Sequence, residues 1–145
     1  MTDDRSEAPV AGGEQRPTPS WKQVAWVPGA FAVCRFPPDA PLPAIPRETA
    51  LYSATRTDRE LSVVCEEAAA PHGAVCERGW RALRLKGPIP FEVTGVLAAL
   101  SAPLARAGLS IFVLSTYDTD YLLVRSADAG AVRAALEKDG FTLER

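Results

Sequence analysis

A chain of 145 residues with a formal net charge of -2, 47% hydrophobic and 23% charged, has the size and balance of one ordinary globular domain or two very small ones. It has no basic stripe for nucleic acid, no polybasic segment for anionic lipid, and no apolar run near the ~18 residues of a membrane span. The opening MTDDRSEAP is acidic and polar and unlike a secretory leader, so the expected location is cytoplasmic.

Residues 1–22 are rich in Pro, Gly, Ser, Thr, Asp and Glu, with almost nothing to bury, which predicts a disordered tail. Trp21 and Trp26 mark where burial begins. Residues 31–36 (FAVCRF) predict a strand. Pro37, Pro38, Pro41, Pro43 and Pro46 then impose a stiff, extended loop. Residues 50–56 and 60–66 predict the arms of a hairpin turning at Thr57, Asp58 and Arg59. Residues 68–73 read as a breaker or one short helical turn.

Residues 81–86 (RALRLK) alternate as a strand, stopped by Gly87, Pro88 and Pro90. Residues 91–107 carry Val93, Val96, Leu97, Leu100 and Leu104 at helical spacing. Pro103 should kink the last turn of that helix, and Gly108 should end it. In residues 109–114, Leu109, Ile111 and Val113 fall on one strand face, with Ser110, Phe112 and Leu114 on the other. Residues 121–124 predict the next strand, and the six polar or half-polar residues 115–120 lie between the two. Ser126 is a suitable N-cap for a second helix with Asp128 in its first turn and a stripe of Val132, Ala135 and Leu136. Gly140 ends that helix, and residues 141–144 predict a last short strand.

The order from residue 81 is β-α-β-β-α-β, a ferredoxin-like arrangement in an α+β protein. At about 65 residues it is marginal as a solitary core. The predicted division is therefore a tail at 1–22, a strand-rich module at 23–80 that shares or packs on the sheet, and a C-terminal module at 81–145.

No GxSxG, HExxH or P-loop is present. Cys34, Cys65 and Cys76 are widely spaced, with only His72 as a nitrogen partner, so no zinc set forms. They read as small core residues in a reducing compartment. Asp118 and Asp120 form a DxD that could hold Mg²⁺ for a small enzyme, with Tyr117 and His72 moving protons, but no further acid lies nearby. The 115–120 turn has two readings. Its hydroxyls and carboxylates can satisfy their own backbone, or they can bind something. Two residues suffice for a tight hairpin, so six leave groups to spare.

The stretch GWRALRLKGPIPFEVTGVLAALSAPLARAGLSIFVLSTYDTDYLLV, with the earlier SATRTDRELSVVCEE, closely resembles small tandem ACT-domain proteins of the class related to the arginine sensor of the mTORC1 pathway. The resemblance runs from about Phe31 to Val124, and its specific core is STYDTDY. It implies two ACT-like modules, no catalysis, no cofactor and no metal. It also implies an amino-acid ligand held between modules. That class offers backbone groups at the positions of Ser110 and Ile111, closes a turn over the ligand at Thr116, Tyr117, Asp118 and Asp120, and brings the ligand near backbone at Gly95. The eukaryotic sensor has four modules and this chain has room for two, so a site between modules implies a homodimer. Backbone N–H groups suit the carboxylate of a zwitterion, and Asp120 suits its ammonium. The competing reading is a structural or protein-interaction module without a ligand.

Overall fold

The computed structural model describes residues 16–145. The part of the expected tail at residues 1–15 lies outside the described residues. Residues 20–22 already belong to the fold. Trp21 sits in a 3-10 turn, Ser20–Lys22, with its ring 6.1 Å from that of Phe141, and Lys22 Nζ donates to the Asp139 carbonyl at 3.1 Å.

The elements are β1 (Gln23–Trp26), β2 (Phe31–Phe36), β3 (Ser53–Arg56), β4 (Leu61–Glu66), β5 (Val75–Leu85), α1 (Val96–Arg106), β6 (Ile111–Ser115), β7 (Asp120–Arg125), α2 (Ala129–Lys138) and β8 (Thr142–Glu144). From β5 onward the order is β-α-β-β-α-β, the ferredoxin-like, α+β arrangement. The N-terminal part of the described chain is strand-rich, with only short 3-10 turns for helix.

All the strands join in one eight-stranded sheet, organised by β5. The first half of β5 pairs antiparallel with β2, from Arg35↔Val75 to Phe31↔Trp80. On the same edge, its second half pairs antiparallel with β1, from Trp26↔Leu83 to Val24↔Leu85. The other edge takes β7, from Trp80↔Arg125 to Arg84↔Tyr121. The expected strand at 81–86 is thus the end of a longer one, and the position between residues 80 and 81 falls inside it. β8 does not reach β5, because β1 lies between them and pairs with β8 in parallel.

Both helices cover one face of this sheet. Leu100 and Leu104 of α1 and Val132 and Leu136 of α2 are fully buried against Leu83, Leu85, Leu122 and Val124. Val24 joins them, which is why the four residues of β1 are held. On the other face, Trp80, Leu123, Phe31 and Val64 close under Leu51, at the end of the proline-rich segment.

α1 starts five residues later than its apolar spacing suggested. Phe91, where the helix was expected to begin, and Val93, counted in its stripe, are exposed, and the chain turns at Pro90 with the Val93 N–H on the Pro90 carbonyl at 3.1 Å. Gly108, with φ 71°, ends the helix as expected, and the Leu109 N–H reaches back to the Leu104 carbonyl at 2.9 Å. Ser126 does not cap α2. It opens a 3-10 turn, Ser126–Asp128, and no side chain caps the helix that follows.

Cys34 and Cys76 face each other across β2 and β5 and are joined by a disulfide. This corrects the expectation of three separate thiols. Strand register sets that pairing, and sequence spacing carries no sign of it. Cys65 remains free and buried; burial raises its thiol above the ordinary range, with Arg78 pulling the other way. A raised thiol is the unreactive direction.

Candidate functional site

The turn between β6 and β7 is tighter than its polar run suggested. The ladder extends to Ser115↔Asp120, and the Thr116 N–H then donates to the Thr119 carbonyl at 2.8 Å. Only Tyr117 and Asp118 are left to turn the chain. The Thr116 hydroxyl donates to the same carbonyl at 3.1 Å and accepts the Thr119 N–H at 3.3 Å. Self-satisfaction of the backbone therefore accounts for Thr116. It does not account for Tyr117, Asp118 or the second carboxylate oxygen of Asp120, whose Oδ1 accepts the Ser115 hydroxyl at 2.6 Å.

The segment after β5 folds over this turn. The Ile89 N–H donates to the Asp118 carbonyl at 2.7 Å, and the Thr119 hydroxyl donates to the Leu85 carbonyl at 2.8 Å. The chain then enters α1 through Gly95, whose φ of 81° favours glycine. Between loop, helix start and turn lies a cleft of about 400 Å³. Phe91 and Tyr117 stand at its rim, ring centroids 5.1 Å apart and edge to face, 73% and 81% exposed. Leu97 and Val93 add further exposed apolar surface.

Two features of the cleft have chemical consequences. No side chain caps α1, so the amides of its first turn, whose residues line the cleft, lack intrahelical partners and favour an anionic group. The only charged side chains in the lining are the carboxylates of Asp118 and Asp120. One wall thus suits a carboxylate and the other an ammonium or guanidinium.

Five residues singled out from the sequence share this cleft: Gly95, Thr116, Tyr117, Asp118 and Asp120. Ser110 and Ile111 do not. Ser110 precedes β6 and Ile111 opens it, about 17–20 Å along the chain from Thr116, and Ile111 packs toward the helix-covered core. Sequence reasoning missed Phe91, Leu97 and Thr119. The GPIPF run was the available signal, but Gly87, Pro88 and Pro90 read only as a strand stop and Phe91 as the start of the helix. A second pocket, about 430 Å³, lies on the other side of the same turn, beside Arg84, Lys86 and Glu144. Among the described residues, no group of three or more His, Cys, Asp or Glu side chains could hold a metal ion. His72 is exposed.

From β5 onward, the βαββαβ order with both helices on one face of the sheet is the arrangement of an ACT module. Residues 75–138 match the ACT-domain family model, and a companion N-terminal-domain model matches residues 29–73. The chain thus contains an ACT domain, over residues 75–138. Protein Atu0741 from Agobacterium tumefaciens is 34% identical, with a TM-score of 0.78 over 84% of this chain and 91% of that one. The human protein CASTOR3P is 29% identical over 105 residues, 63% of this chain and 64% of its own length. The human cytosolic arginine sensor for mTORC1 subunit 1 is 35% identical over 60 residues, 41% of this chain and 18% of the sensor. This is a small ACT-domain protein related to the mTORC1 arginine sensor. The chain spans less than two thirds of the length of either curated relative. No described helix is long and apolar enough to cross a membrane.

Proposed function

We propose that this protein is a regulatory, non-enzymatic sensor that binds a small molecule, an amino acid, in the cleft between the start of α1 and the 116–120 turn. The observation that carries this reading is the pairing of an uncapped helix start with two carboxylates across one cleft. The ligand carboxylate meets the amides after Gly95, where no side chain intervenes. Its cationic group meets Asp120 and Asp118. Phe91, Leu97 and Tyr117 cover the apolar part of the ligand. No metal or cofactor enters this scheme. The sensor relative, by its name, responds to arginine, so arginine is the first amino acid to try.

The same reading takes the protein as a homodimer. β6 is a sheet edge without proline or charge, and Val113 at its centre is 37% exposed. Such an edge accepts another strand. Antiparallel pairing of two copies about Val113 sets Ser110 of the partner subunit opposite Thr116, and Ile111 of the partner subunit opposite Ser115. That arrangement returns Ser110 and Ile111 to the neighbourhood of the turn.

The second reading, a structural or protein-interaction module without a ligand, is favoured by the Ser115–Asp120 bond, which gives the carboxylate a partner of its own. A thermal-shift screen of the intact chain against the twenty amino acids decides between them. A specific ligand raises the melting temperature progressively above its Kd. A flat response to all twenty at millimolar concentration sinks the amino-acid reading.

A further inference from the structure

We infer that Thr119 and Gly87 are positioning residues of the cleft, clasping its two walls, the 87–95 loop and the 116–119 turn, into one preformed unit. The purpose of the clasp rests on the binding reading; its existence does not. Thr119 is the buried polar side chain of the described residues, 9% exposed. Its hydroxyl donates from the turn to the last carbonyl of β5, Leu85. Four residues further on, the Ile89 N–H donates the other way, from the loop to the Asp118 carbonyl. Neither bond belongs to the β5–β7 ladder, whose register ends at Arg84↔Tyr121. Beyond the ladder, these two bonds and the exposed Phe91–Tyr117 ring contact are what tie the turn to the loop.

Gly87 lies where the two segments touch. A Cβ there would stand 2.9 Å from the Asp118 carbonyl oxygen and 3.1 Å from the Thr119 Cβ. Neither atom is the end of a flexible side chain, so the turn itself would have to move. The requirement is for space, since φ of Gly87 is not in the left-handed region. A buried hydroxyl is costly to leave unpaired, so the clasp stays shut without a ligand. The walls are then ordered in advance, which removes that ordering cost from binding.

The test uses the intact chain without any ligand, so a failure of the amino-acid reading leaves it standing. Thr119→Val keeps the branched shape and removes the donor; Gly87→Ala wedges the same contact from the other wall. NMR amide exchange at Ile89 should quicken about tenfold in each variant, and the Phe91–Tyr117 ring contact should weaken. Val63 and Val64 in β4 should keep their protection. Thr119→Ser should restore Ile89. The double variant should gain less than the product of the singles, because both open one contact. Wild-type Ile89 exchange in Gly87→Ala, or equal loss of protection at β4 and Ile89, would overturn the inference. If Thr119→Val fails to fold, Gly87→Ala against Thr119→Ser makes the same comparison.

Discussion

Ser115 donates its hydroxyl to Oδ1 of Asp120 at 2.6 Å across the last rung of the β6–β7 hairpin. The bond fixes the carboxylate at the mouth of the cleft and leaves its second oxygen open. An asparagine can accept the same hydroxyl but carries no charge. Asp120→Asn should therefore leave apo stability nearly unchanged. It should weaken any amino acid found in the screen by about ten- to a hundredfold, the roughly 1.5–3 kcal/mol of a charged hydrogen bond. Calorimetric titration and apo unfolding of this variant measure both. Unchanged affinity with an apo fold weakened by about 1 kcal/mol would make Asp120 a strand-end brace.

The β6 edge makes its own demand. Val113→Lys puts a cation at the centre of the proposed dimer, opposite its own copy, where like charges destabilise strand pairing. Light scattering should show the wild type as a dimer and Val113→Lys as a monomer. A wild type that stays monomeric at high concentration, with and without amino acids, would refute the assembly.

Trp21 tests where the fold begins. It is half-buried against Phe141. Starting the chain at Ser20 should leave the melting temperature unchanged, whereas Trp21→Ala should cost about 1–2 kcal/mol of lost apolar contact. Equal melting of Trp21→Ala and wild type would show that the expected boundary at residue 22 was the better one.

The Cys34–Cys76 disulfide closes a loop of 42 residues. Chain-entropy reasoning gives such a cross-link about 2–4 kcal/mol. Chemical denaturation with and without a reducing agent should show a loss of that order, and a Cys34→Ala, Cys76→Ala variant should match the reduced protein and ignore the agent.

Elements with strong local patterns were legible in the sequence. FAVCRF is β2 to the residue, and the hairpin around Thr57–Arg59 and the β6–β7 pair appear within a few residues of expectation. Features decided by remote partners were not. β1 offers four residues and one fully buried side chain, and it exists because β5 and β8 flank it. The first six residues of β5, with Glu77, Arg78 and Gly79, look polar locally and are held by β2. Phe91 falls in the expected helix and Val93 in its apolar stripe, yet both line the cleft. Thr119 is one hydroxyl among several in the turn, and only the approach of the Leu85 carbonyl distinguishes it. The site was visible as a polar run; its second wall was not, because that wall comes from a loop whose apolar spacing imitated a helix.

The two family models meet near residue 74, yet β5 begins there and immediately pairs backward with β2, and farther along with β1. A fragment covering residues 75–138 would keep both helices but lose β1, β2 and β8, exposing one entire edge of its longest strand. The N-terminal fragment would keep β2 with one side of its ladder unmatched. Cutting the chain between the two models would therefore open the sheet on both sides of the cut, because one strand, β5, stitches the halves together.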